Sequence, residues 1–166
     1  LTILSSFAQE ESRSVSENCK WRIRKKMEQG EIVGLRAMYG YIIRGKDITI
    51  EPRQAEIVRE IFGLYISGES SVSIARNLNA RGETTLTHVA WTPKHVREIL
   101  TNEKYTGNAL LQKTYISDYL NKNKKRNRGK LPTFFVEQSH EAIIDMDTFK
   151  RAQELLARAS EKNKPG

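Results

Sequence analysis

Between Pro52 and Gly68 the apolar residues Ala55, Ile57, Val58, Ile61, Phe62 and Tyr65 recur at steps of mostly three and four, the spacing that gathers side chains on one face of an α-helix. Pro52 stands where a first helical residue belongs, and Gly68 marks the stop. The spacing returns in Ile74, Ala75 and Leu78, after a capping Ser70 or Ser71 and before Gly82. In a third segment, residues 92–100, Thr92 is a good N-cap and Pro93 the first helical residue, and Val96, Ile99 and Leu100 form the inner face. Lys94, His95, Arg97 and Glu98 are left on the outside. A last helix begins after Asp145 or Asp147 and turns Phe149, Ala152, Leu155, Leu156 and Ala159 inward.

Other stretches follow different rules. YGYIIRGKDITI holds two short β-branched runs around Gly45, Lys46 and Asp47, which predicts a hairpin of Tyr41–Arg44 with Asp47–Ile50. YTGNALLQKTYISDY reads as a strand and residues 133–137, TFFVE, as its partner, joined by a polar loop, NKNKKRNRGK. At the other end, residues 2–29 lack Pro and Gly and place Leu4, Ala8, Val15, Cys19, Ile23 and Met27 on one thin stripe, interrupted by Glu11. A helix of about 40 Å, at a rise of ~1.5 Å per residue, is too long to bury itself in a small domain, so the stripe calls for another chain or domain. Residues 30–41, with three glycines and no stable period, predict a connector.

The expected class is therefore α+β: a long N-terminal helix, then a mainly helical domain with small antiparallel β hairpins. The expected division is a long helix over 1–30, a linker over 31–40, a mainly helical domain over 41–160 and a polar tail over 161–166. The chain opens at Leu1 in mid-pattern and closes on polar EKNKPG, the look of a segment of something longer.

Charge changes the picture more than bulk composition does. Of 166 residues, 38% are hydrophobic, enough for a core, but the net charge is +8, which favours a polyanionic partner. Residues 113–130 hold seven basic side chains against one acidic, +6 of that total. Like charges crowded between two strands repel, so folding explains them poorly. They read either as a flexible arm on phosphates, through Lys122, Lys124, Lys125, Arg126 and Arg128, or as a solvated loop that keeps the protein soluble. A second cluster, Lys20, Arg22, Arg24, Lys25 and Lys26, exceeds the one or two cations that a helix C-terminus needs to oppose its dipole. The helix of residues 92–100 follows two others, as a reading helix does in a helix-turn-helix, with Thr92, Lys94, His95 and Arg97 as its candidate contacts. The connection over 81–91 is longer than the usual three or four residues of that motif.

Enzymatic chemistry is not legible. Cys19 is the only cysteine, so there is no internal disulfide and no Cys-based zinc site, in keeping with a cytoplasmic setting. His88, His95 and His140 lack ligand-like spacing, Asp145 and Asp147 are better explained by a helix start, and the serines of the first helix have no His partner in reach by sequence. No catalytic residue, metal or cofactor is expected. No apolar run reaches the ~18 residues of a membrane span, and no signal peptide is visible.

Four stretches together resemble one family. SSFAQEESRSVSENCKWRIRKKMEQGEIVG is similar to the long helix that leaves the catalytic domain of large serine recombinases, the kind found in phage integrases and mobile-element transposases. YGYIIRGKDITIEPRQAEIVREIFGLYISGESSVSIARNLNARG, WTPKHVREILTNEKYTGNALLQKT and SHEAIIDMDTFKRAQELL resemble the recombinase domain that follows it, in the same order. The resemblance implies a parent enzyme that cuts attachment-site DNA through a phosphoserine link and rejoins the ends during integration or excision. Its serine nucleophile would lie upstream of the long helix and its zinc ribbon downstream of the recombinase domain, with no counterpart of either in this sequence. It also implies that the early part of the helix, around Phe7, supports dimer or tetramer contacts. Its basic end, Arg22, Arg24, Lys25 and Lys26, would meet the backbone of double-stranded DNA, Arg36 the minor groove, and the helix from Thr92 a major groove. A free-standing dimeric DNA-binding regulator and an RNA-binding protein are the competing readings of the same charges.

Overall fold

The computed structural model describes residues 2–117 and 123–162. Its elements run α1 Thr2–Glu28, β1 Tyr41–Arg44, β2 Asp47–Ile50, α2 Pro52–Ile66, α3 Ser71–Ala80, α4 Pro93–Leu100, a 3-10 turn Glu103–Thr106, β3 Ala109–Leu111, β4 Thr114–Ile116, β5 Lys124–Arg126, β6 Phe134–Val136 and α5 Met146–Lys162. The class is α+β, as the patterning predicts. The chain divides into two compact units, one of residues 1–34 with 109–136 and the other of residues 35–108 with 137–166.

The second unit carries the core. β1 pairs antiparallel with β2, and Arg44 opposite Asp47 leaves Gly45 and Lys46 as a two-residue turn. Gly45 takes φ +64° there, the left-handed conformation that such turns require. Helix starts are set by side chains: Glu51 accepts from the Gln54 N–H at 2.6 Å, and Ser70 from the Ser73 N–H at 3.1 Å. Asp145 accepts from the Thr148 N–H at 2.8 Å and its hydroxyl at 2.7 Å, which holds the carboxyl below the usual range. α2 buries Val58, Ile61 and Phe62, α3 buries Ile74 and Leu78, α4 buries Val96 and Leu100, and α5 adds Ala152, all fully enclosed. Each large apolar side chain removed from water here contributes roughly 1.5–3 kcal/mol.

Tyr105, 2% exposed, sits at the centre. Its hydroxyl donates to the Tyr39 carbonyl at 2.9 Å, and its own carbonyl accepts from the Ile143 and Ile144 N–H groups. Tyr41 donates to the Glu141 carbonyl at 2.8 Å. Burial pushes the Tyr41 and Tyr105 phenols well above their ordinary value, so both remain donors. Gly107, at φ +78°, admits no side chain, because an added Cβ would lie 2.7 Å from the His140 carbonyl oxygen.

The structure corrects the expectation for residues 105–137. The long strand is broken: the 3-10 turn begins at Asn102, whose side chain accepts from the Lys104 N–H, and the extended chain splits into β3 and β4 at Gln112, φ +63°. The TFFVE segment pairs through β6 with β3 only, Ala109 opposite Val136. β4 pairs instead with β5, Ile116 opposite Lys124, so the basic stretch is partly a strand rather than wholly a loop. Asn127 secures the corner, donating to the Gln112 and Leu131 carbonyls and accepting from the Leu131 N–H. In the same unit α1 leaves Ile3, Leu4, Phe7, Val15 and Trp21 exposed.

Candidate nucleic-acid interface

α4 owes its position to residues on either side of it. Thr92 Oγ1 accepts from the His95 N–H and His95 Nδ1 accepts from the Thr92 N–H, both at 3.3 Å, a reciprocal cap. His95 is thus half-buried, edge-on to Trp91, with one ring nitrogen already engaged. Lys94 and Arg97 are exposed. Lys94 lies 3.7 Å from Glu98, a solvent-exposed pair that is easily exchanged for another anion. Arg97 borders a groove of about 1060 Å³ with Ser70, Ser71 and Arg158, where the start of α3 faces the end of α5.

The long connection over residues 81–91 is braced. Asn79 Oδ1 accepts from the Trp91 N–H at 2.7 Å, and Asn79 Nδ2 donates to the Trp91 carbonyl at 2.9 Å. Trp91, 4% exposed, packs edge-on against Tyr39 at 5.0 Å between ring centroids. Between these anchors Thr85 and Val89 close a tight turn with His88 at φ +58°. Burial beside Glu83 and Glu51 pushes the Tyr39 phenol up to about 12. Asn79 escapes sequence reasoning because a polar residue late in a helix ordinarily faces water; its only signal is a poor helix former at that place.

The other candidates belong to the first unit or to the connector. Arg22, Lys25 and Lys26 are exposed, while Arg24 is half-buried. Lys25 is already engaged, 2.7 Å from Glu28 and with its ammonium 6.0 Å from the Trp21 ring centre. Arg36 is exposed on the connector. Lys124, Lys125, Arg126 and Arg128 are exposed, and the first three form β5, so alternation puts Lys124 and Arg126 on one face and Lys125 on the other. Lys122 lies outside the described residues. Among those residues no group of three His, Cys, Asp or Glu side chains could hold a metal ion, and no helix is long and apolar enough to cross a membrane.

A family model described as Recombinase matches residues 52–159, about two thirds of the chain and nearly all of the helical core. The chain belongs to the Recombinase family. The match includes α4, with Thr92, Lys94, His95 and Arg97, and the basic segment from Lys122 to Arg128; Arg22 to Lys26 and Arg36 precede it. Two solved structures share the fold. One is the crystal structure of a large serine recombinase (LSR)–DNA complex, with a TM-score of 0.59 at 19% identity over 84% of this Recombinase chain and 38% of the other. The other comes from work on the sequence requirements of the Listeria innocua prophage attP site, with a TM-score of 0.60 at 20% identity over 88% of this chain and 54% of the other. The chain therefore spans about four tenths and about half of these relatives. No curated protein sequence matches it.

Proposed function

We propose that this chain is a DNA-binding portion of a large serine recombinase that recognises attachment-site DNA in the integration and excision of a mobile element. The observation that carries the reading is the Recombinase match over residues 52–159, within which a doubly capped α4 presents Lys94 and Arg97 to solvent. α4 enters a major groove, where Arg97 and Lys94 reach guanine edges and Thr92 and His95 hold the helix start against the backbone. Arg22, Arg24, Lys25 and Lys26 meet phosphates, Arg36 reads minor-groove width, and Lys122, Lys124, Lys125, Arg126 and Arg128 add backbone contacts. Strand cleavage and rejoining belong to a serine nucleophile outside these residues. The exposed Ile3, Leu4, Phe7 and Val15 of α1 pair with a second copy in the cytoplasmic synaptic assembly.

Selection from a randomised duplex library, followed by fluorescence anisotropy on the winners, tests the reading. Binding should converge on one sequence and weaken as salt rises, with a log–log slope near −0.9 per phosphate neutralised. No affinity for any duplex in dilute buffer, or tighter binding to structured RNA, overturns it.

A further inference from the structure

The first unit contains a cleft of about 420 Å³ between α1 and the β4–β5 hairpin. Its lining combines apolar side chains, Ile23 from α1 and Tyr115 and Ile116 from β4, with the cations Lys20, Arg24, Lys124 and Lys130. The one carboxylate there, Glu17, is already held by Lys20 at 3.1 Å. Lys130 sits with its ammonium 5.6 Å from the Tyr115 ring centre. Two buried polar atoms of the lining, Arg24 Nε and Gln112 Oε1, have no hydrogen-bond partner among the described residues. Folding does not account for this arrangement. It brings like charges together from distant parts of the sequence and leaves a buried guanidinium N–H without an acceptor, both unfavourable.

A ligand that alternates an apolar ring with an anionic group removes both costs. Deoxyribose offers the face that would lie on Ile23, Tyr115 and Ile116. Its phosphate would draw the half-buried Arg24 side chain round so that its Nε–H, enclosed and unpartnered without DNA, gains an oxygen acceptor. We propose that this cleft grips a single phosphodiester of the DNA backbone, with Arg24 as the central donor and Lys20, Lys124 and Lys130 around it. The proposal rests on the DNA-binding function above and adds to α4 a hold that reads no sequence. It also separates the two faces of β5: Lys124 belongs to the cleft, whereas Lys125 does not line it.

The test is anisotropy of a 40-base-pair duplex against salt for the wild type, Arg24→Gln, Lys124→Gln, their double variant and Arg24→Gln combined with Lys125→Gln. Each cleft variant should reduce the slope by about 0.9, and the double by no more than about the same, because one phosphate is shared. Effects at Arg24 and Lys125 should simply add. A double variant that loses about 1.8, or single variants with unchanged slopes in protein that circular dichroism shows to be folded, overturns the proposal. Should Arg24→Gln fail to fold, the exposed pair Lys124→Gln and Lys130→Gln carries the same comparison. Saturable binding of inorganic phosphate, lost in the variants while their duplex slopes stay unchanged, would assign the cleft to a free anion and overturn the DNA reading. A wild type that binds no duplex removes the proposed function itself, an outcome distinct from loss of the cleft alone.

Discussion

Replacing Asn79 by Ala should destabilise the unit that carries α4 far more than an exposed polar residue ordinarily does. The side chain closes two hydrogen bonds on one residue, from the Trp91 N–H at 2.7 Å and to the Trp91 carbonyl at 2.9 Å. Each such bond contributes about 1 kcal/mol net, and leaving the backbone groups of a buried residue unsatisfied costs roughly 1–3 kcal/mol each. Solvent reaches Asn79 itself, so water can replace part of the loss, and the expected total is about 2–3 kcal/mol. For a unit of about 100 residues that corresponds to a fall in Tm on the order of 10 °C. Urea titration followed by tryptophan fluorescence measures it directly, since Trp91 is one of only two tryptophans. Asn79→Asp separates the two bonds: it keeps an acceptor for the Trp91 N–H but sets a carboxylate against the Trp91 carbonyl, and should destabilise through the second bond alone. DNA affinity should fall with stability, because the same bonds hold the residue that precedes the α4 cap. A loss under about 0.5 kcal/mol, typical of a plain surface site, would refute the idea that Asn79 braces this connection.

Arg97→Ala should weaken binding to the selected duplex by roughly 1–3 kcal/mol more than to a scrambled one, and equal losses on both would reassign Arg97 to the backbone. Gly107→Ala should cost more than about 2 kcal/mol, adding a Cβ pressed on the His140 carbonyl oxygen to left-handed strain, whereas Gly45→Ala, with no atom within 4 Å, should show the strain of about 1 kcal/mol alone; similar urea midpoints for the two variants would discount the close approach. Burial lowers the His140 pKa, and its Nε2–H donates to the Lys104 carbonyl at 2.6 Å. The unfolded chain therefore takes up a proton below pH ~6.5 that the folded one refuses, and stability should drop as pH falls from 7 through that value. His140→Gln, which keeps a donor, should lose that part of the pH dependence, and identical pH profiles of the urea midpoint would contradict it.

The helical core was legible because its information is local. Thr92 followed by Pro93, Ser70 ahead of Ile74, and Pro52 each announce a helix start through a capping side chain or a proline ring that acts within one turn; the Glu51 cap came only with the structure. The hairpin at Gly45 was equally plain, since only a short turn fits between two β-branched runs. What escaped was structure made by pairing across distance. Lys124, Lys125 and Arg126 show no apolar alternation because β5 is exposed on both faces, and it forms by backbone bonds to β4. The break at Gln112 depends on Asn127, a partner whose relevance no periodicity reveals. His95 looked outward by helical spacing, yet its ring lies back over the helix start, where the Thr92 N–H needs an acceptor. The cleft around Arg24 was invisible for the same reason as β5, because its two walls are remote in sequence.

Residues 109–136 leave and re-enter the chain at almost the same point. The Ser139 N–H and hydroxyl both bond to the Gly107 carbonyl, at 2.8 and 3.0 Å, and the Gln138 N–H bonds to the Asn108 side chain at 3.0 Å. A loop clasped at its base adds little entropy per extra residue, since closure depends only on the logarithm of its length. Evolution, or an engineer, can therefore change the length of the connections beyond that clasp at small entropic cost to the closure itself.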